Sequence, residues 1–491
     1  MKIVIYKSFF SILLFIIFSI NLYLPLIANN IEIKTVTVTD IDTLSHYANL
    51  MFDISWDNSW RLDGVKAPYN WDAVWIFAKY RVRDGEWYHC KFNSKDDGHS
   101  APTGSTIDAA YDSMGVFIYL SSNNKATESS TSSIYWEDVK LNWNYGLDCV
   151  SDDETVAVKV FAIEMVYIPQ DSYCLYNGEC DNIYSNFNSG NTICSEDPLP
   201  QGTITWNVES NWCGAQSNDG KTGGCDELQS GYPKGYQAIY CMKYEISQGQ
   251  YADFLSNISE TQSNNRYPNQ NGNYQHTIKD DFYGNYYAAK PNRSCNYLSW
   301  ADGLAFADWA GLRPMTELEY EKICRGQKNP ENAFFSTDYN NSYANIENLN
   351  NVKMINCLYS ENSNTPNLNH TLPYYGVMMM RDNLSERCIT VAKYCWNCCT
   401  YNNETHAGSF DGKHGDGYLT KTGFSNVSKW PSQEAVSGYS AYGSSIRGAC
   451  WMYPPSKVPV SDRNLAAYPY AGRIANAGFR LVRTAPVETK F

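Results

Sequence analysis

Three long stretches, residues 181–235, 257–293 and 327–372, are rich in Asn, Ser, Gly and Asp and show no sustained apolar period. Loops of that length do not satisfy their own backbone groups through helices or sheets. A chain holding three of them therefore has few regular elements and needs staples, through disulfides or bound cations. Sixteen cysteines are present. An even number beside an export signal suggests disulfides, whose connectivity the sequence leaves open. Cys388, Cys395, Cys398 and Cys399 form the densest group, with His406 near, but no second CxxC or HxxxH completes a zinc spacing.

The export signal is at the start. Lys2 and Lys7 supply positive charge, Phe9 to Ile20 is almost wholly apolar, and Leu26-Ile27-Ala28 reads as a cleavage site, which makes residues 1–28 a signal peptide. No cysteine follows the apolar run to carry a lipid, and no later stretch reaches the ~18 apolar residues of a spanning helix. The expected location is secreted, periplasmic or at the cell surface, with no membrane span after cleavage. The formal charge is −14, and cleavage deepens it by removing two lysines and no acid. Such a chain is not built for nucleic acid or an anionic membrane; its charge keeps it soluble.

Its 491 residues suit two domains. In residues 30–155, Phe52, Ile54 and Trp56 alternate with polar residues, as do Val74, Ile76, Ala78 and Tyr80, and Val139, Leu141 and Trp143. Period-two runs separated by clusters such as Lys95-Asp96-Asp97-Gly98 and Ser121-Ser122-Asn123-Asn124 predict half-buried strands and a small antiparallel β-sandwich. His46, His89 and His99 have no nucleophile near them in sequence and read as surface or structural histidines. The boundary is expected near 150–158, before the run from Val156 to Pro169.

Beyond it, three helices are signalled. Ser247 with Gln250 forms a capping box ahead of Tyr251, Phe254 and Leu255. Ser299 caps a helix whose inner face holds Trp300, Leu304, Ala305 and Trp309 and which Gly311 stops. Thr316 with Glu319 starts a third, ended by Gly326. The expected class is therefore α+β, a β-sandwich followed by a domain of few elements and long loops.

Several segments of that second region resemble, in order, the formylglycine-generating-enzyme (sulfatase-modifying-factor) family, which has a C-type-lectin-like fold. They are Glu164-Met165-Val166-Tyr167-Ile168-Pro169; Lys243 to Tyr251; Asn296-Tyr297-Leu298-Ser299-Trp300-Ala301-Asp302 continuing through Trp309-Ala310-Gly311-Leu312-Arg313-Pro314-Met315-Thr316 to Glu321; Tyr375-Gly376-Val377 through Asn383-Leu384-Ser385-Glu386-Arg387; and Gly478-Phe479-Arg480-Leu481-Val482-Arg483. The resemblance spans residues 160–486. Within it, Glu317, Glu319 and Glu321 read as charges at a helix N-terminus, Arg313 and Arg480 as internal hydrogen-bond donors, and Trp300 and Trp309 as core.

The resemblance implies calcium held by oxygen ligands, at Asn345 and Ile346 for one site and at Asn383 and Glu386 for the other. The second motif departs from the family pattern, with Asp382 for Gly and Ser385 for Trp. In the family, two cysteines five residues apart near the C-terminus hold Cu(I); the matching positions here are Tyr453 and Val458, which do not bind copper, while Cys450 takes a place that is Ser or Gly in the family. The expected function is therefore a bacterial, exported, non-catalytic binding or structural protein for a protein or glycan ligand. Its contact patch would hold Met452, Tyr453, Tyr468, Tyr470 and Arg473, residue types that combine rigid area with directed hydrogen bonds. A formylglycine-generating oxidoreductase acting on protein cysteine is the alternative from chemistry; a surface-assembly component or a retroelement-diversified ligand-binding protein is the alternative from fold.

Overall fold

The computed structural model describes residues 2–3, 31–64, 68–95, 98–124, 132–175, 187, 192–207, 222–281, 283–326, 374–380, 383–392, 407–448, 450–451, 463 and 465–486. The apolar run Phe9–Ile20, the cleavage site at Ala28, and Asn345, Ile346, Asp382, Cys395, Cys398, Cys399, His406, Met452, Tyr453 and Val458 lie outside the described residues.

The first half supplies strands β1 (Glu32–Asp42), β2 (Tyr47–Ser59), β3 (Asp72–Val82), β4 (Ser105–Ala109), β5 (Val116–Leu120), β6 (Ser132–Asn144) and β7 (Thr155–Ile168). A small hairpin, β8 (Tyr173–Cys174) and β9 (Thr192–Ile193), follows. The second half adds β10 (Ile239–Met242), α1 (Gln248–Leu255), α2 (Glu260–Arg266), α3 (Trp300–Trp309), β11 (Arg313–Pro314), α4 (Glu317–Arg325), β12 (Ser385–Ile389), β13 (Ser444–Arg447), β14 (Ala477–Gly478) and β15 (Leu481–Thr484).

β1, β2 and β6 make a three-stranded sheet in the order β1-β2-β6. Phe52, Ile54 and Trp56 on β2, and Val139, Leu141 and Trp143 on β6, face inward as the alternation predicts. They meet Val74, Ile76, Ala78, Val116 and Ile118, so one hydrophobic cluster lies between this sheet and a second, larger one. In β3 the alternation does not separate core from solvent, because every residue from Asp72 to Tyr80 is buried. Its other face, Ala73, Trp75 and Phe77, enters a second cluster with Phe254, Phe306, Trp309 and Phe479. A strand covered on both sides carries apolar residues at most positions, here all but Asp72 and Lys79 from 72 to 80.

The larger sheet runs β11-β15-β10-β7-β3-β5-β4. β7 starts where the boundary was expected and pairs along its length with β3, from Asp72↔Val166 to Val82↔Val156. Its opposite edge pairs with β10, Ile239↔Ile168 to Met242↔Met165. The sheet thus passes through the expected junction without a break. Side chains reinforce it at the C-terminal end of α3, whose last carbonyls need donors. Lys79 Nζ donates to Trp309 O at 2.7 Å and Trp75 Nε1 to Ala310 O at 2.9 Å. Lys79 is buried, and burial lowers its pKa to about 7; its other contacts are Gly417 O and His89 Nδ1. Arg483 on β15 pairs with Asp112 at 2.5 Å.

All three expected caps form, at Ser247, Ser299 and Thr316, and Ser299 as well as the other two has a full capping box, with Asp302 as its partner. Gly326 is the C-cap of α4, with a positive φ of 69°. α2 was not foreseen within the polar stretch 257–293; it has its own box, Ser259 with Gln262. All ten described cysteines are free thiols. Cys90, Cys241, Cys295 and Cys388 are wholly buried, which pushes each thiol well above its usual range. No helix among the described residues is long and apolar enough to cross a membrane.

Candidate functional site

A cluster of buried ion pairs surrounds the N-terminus of α4. Thr316 fixes the first turn, with Glu319 N donating to Thr316 Oγ1 and Thr316 N to Glu319 Oε2. Glu319 also holds Arg313 in a bidentate pair at 2.9 and 2.6 Å. Glu317 and Glu321 do more than charge the helix start. Glu317 accepts from Arg447, Arg463, Thr390 Oγ1 and Val391 N. Burial raises its pKa, but the two guanidiniums outweigh that and hold the carboxyl at about 2. Glu321 pairs with Arg325 at 2.6 Å and with Arg447. These carboxylates and Arg313, Arg447 and Arg463 are fully buried, so their charges are spent on one another.

A second buried group surrounds Arg480 of the closing strand segment. Its guanidinium donates to Glu386 at 2.7 Å and to the carbonyls of Met242, Lys243 and Met378. Glu245 stands 3.7 Å away and accepts from Ser294 Oγ and Asn383 Nδ2. Burial, opposed by Arg480 and aided by the Glu386 charge, raises the Glu245 pKa to about 7. Asn383 has a left-handed φ of 68°, a conformation Asn tolerates.

Asn383 and Glu386 are the pair expected to hold calcium. Each keeps one buried oxygen without a hydrogen-bond partner, Asn383 Oδ1 and Glu386 Oε2. These are hard donors of the right type. Two fall short of the six to eight that calcium takes, and the Arg480 guanidinium already neutralises the carboxylate. Asp382, the other carboxylate of this motif, lies outside the described residues.

Of the expected contact patch, the structure brings Tyr468 and Tyr470 together and adds Tyr439. Their ring centroids lie 5.5 to 6.1 Å apart. The backbone beneath is fixed: Arg387 donates to Tyr470 O and Gly472 O at 2.7 Å, and Ala471 N to Gly438 O. Tyr439 is 52% exposed, and its turn is open, with Val436 41% exposed. Burial and the Tyr439 hydroxyl push Tyr468 up to about 12. Arg473 goes elsewhere. It forks onto Asp302 at 2.7 and 3.1 Å and donates to Tyr267 O and Asn265 O, because buried Asp302 requires a counter-charge. Tyr439 was missed for want of an apolar pattern; the signal was the Gly438-Tyr439-Ser440 turn. Cys450 is buried, with Asn476 Nδ2 donating to its sulfur at 3.7 Å.

Comparison with known proteins agrees with this geometry. No curated protein matches the chain. The family model described as the sulfatase-modifying factor enzyme 1-like domain matches residues 234–485. The match begins after β7, whose residues 164–169 resemble the family and pair with β10 inside it. Matched over half its length, with the matched motifs converging on α4 and Arg480, the chain belongs to the sulfatase-modifying factor enzyme 1-like domain family.

Proposed function

We propose that the chain is an exported, non-catalytic recognition protein, and that Tyr439, Tyr468 and Tyr470 form its contact surface. The observation that carries this is the tyrosine trio: three rings in mutual contact on a hydrogen-bonded backbone, one of them more than half exposed. Within the matched span, Glu317, Glu319 and Glu386 are meanwhile committed to buried pairs with arginines. Rigid tyrosines offer apolar area and a hydroxyl at low entropic cost, which suits a sugar ring or a protein surface. The three-stranded sheet and the facing part of the larger one act as a β-sandwich that braces this surface.

The test is a glycan array and an envelope pull-down with the full chain and with the triple variant Tyr439→Ala, Tyr468→Ala, Tyr470→Ala. Binding should fall at least tenfold while the melting temperature holds within a few degrees. Undiminished binding sinks the patch. Aldehyde formation on a Cys-x-Pro-x-Arg peptide with Cu(I) would overturn the non-catalytic reading.

A further inference from the structure

The hairpin β8–β9 is a two-stranded ribbon with one face in the core. Tyr173 and Ile193 sit opposite each other and are buried. The Tyr173 hydroxyl lies 2.8 Å from the carbonyls of Lys234 and Leu318, which ties the ribbon to α4. Side chains alternate along a strand, so Cys174, Thr192 and Cys194 share the opposite face. The contact of Cys174 Sγ with Thr192 Oγ1, at 3.7 Å, agrees with that. Cys174 is partly exposed and Cys194 exposed, and both are free. Cys149 is also exposed, whereas Cys90, Cys225, Cys241, Cys295, Cys388 and Cys450 are buried. Just beyond Cys194, Glu196 accepts from Lys234 N at 2.6 Å and Gln237 N at 2.9 Å, so the strand is anchored on both sides of the thiol.

We propose that Cys174 and Cys194 are an oxidation site, a disulfide-forming pair that clasps the base of the segment between them. Diagonal neighbours on an antiparallel pair have Cα atoms about 7–8 Å apart. A disulfide needs about 6.8 Å or less, so closure asks for a shift of about 1 Å. Strands of two residues allow it, since Cys194 lies past the last paired residue. With oxidised glutathione as oxidant, one protein thiolate attacks its disulfide and releases one reduced glutathione. The second protein thiolate then attacks the mixed disulfide and releases the other. Two protein thiols lose two protons and two electrons, and glutathione disulfide takes them up.

The experiment uses the full chain, incubated with oxidised glutathione, blocked with N-ethylmaleimide and cleaved after glutamate. Cuts at Glu164, Glu179 and Glu196 place Cys174 and Cys194 on different peptides. Mass spectrometry should find peptides 165–179 and 180–196 joined through Cys174 and Cys194, lighter by two hydrogens than their sum. Cys149 should carry a single glutathione. The link should persist in Cys180→Ser, which removes the other thiol of the second peptide. Separate glutathione or maleimide adducts on Cys174 and Cys194, or a link that runs through Cys180, would overturn the assignment.

Discussion

Glu245 is 1% exposed and shares one arginine with Glu386, so two carboxylates compete for a single buried positive charge. Its pKa, raised to about 7, lies above the unfolded value near 4.5. The folded protein therefore holds a proton that the unfolded chain has released between those two values. The stability this contributes is complete below about pH 4.5 and is lost as pH rises through 7. Glu245→Gln carries no such proton, so its melting temperature relative to wild type should climb between pH 5 and pH 8. Thermal melts across that range measure it, and a flat difference would refute the assignment. None of this was legible in sequence, where Glu245 looked like an ordinary residue before a helix. Arg313 and Arg480 were readable as internal donors; Arg313 finds Glu319 six residues on, whereas the partners of Arg480 come from segments far away in the chain.

At the scale of elements, the helix starts were legible because a capping box is local: Ser247, Ser299 and Thr316 each find their partner three residues on. α2 escaped because it has the box without an apolar stripe, only Ser263 and Arg266 being buried. α3 shows where propensity misleads. A Cβ at Gly303 would lie 2.3 Å from the Phe479 ring, so the helix touches the closing Gly-Phe-Arg segment through its backbone. On a free helix, Gly→Ala stabilises by about 1 kcal/mol. Gly303→Ala should instead destabilise by about 1–3 kcal/mol through overpacking. Chemical denaturation measures the sign, and a gain in stability would refute the contact.

At the scale of the whole molecule, two regions were legible and their fusion was not. Pairing between distant strands leaves no local trace, so the change in patterning near residue 155 reads as a boundary although the strand there is shared. Since β7 lies between β3 and β10, the matched span has an open sheet edge without the first half. It also loses the donors from Lys79 and Trp75 and the Asp112 partner of Arg483. Residues 234–485 expressed alone should show no cooperative thermal transition. A melt as sharp and as high as that of the full chain would show that the two halves are independent.

The order of strands also sets a schedule. β10, from residue 239, has β15, from residue 481, as its outer neighbour, and β11 pairs only with β15 at that edge. During synthesis the edge of β10 waits for more than two hundred residues of later chain. Local hairpins of the first half can form early, but this flank stays open until β15 has been made. A chain stopped before residue 481 therefore lacks the one strand that pairs with both β10 and β11 at this edge.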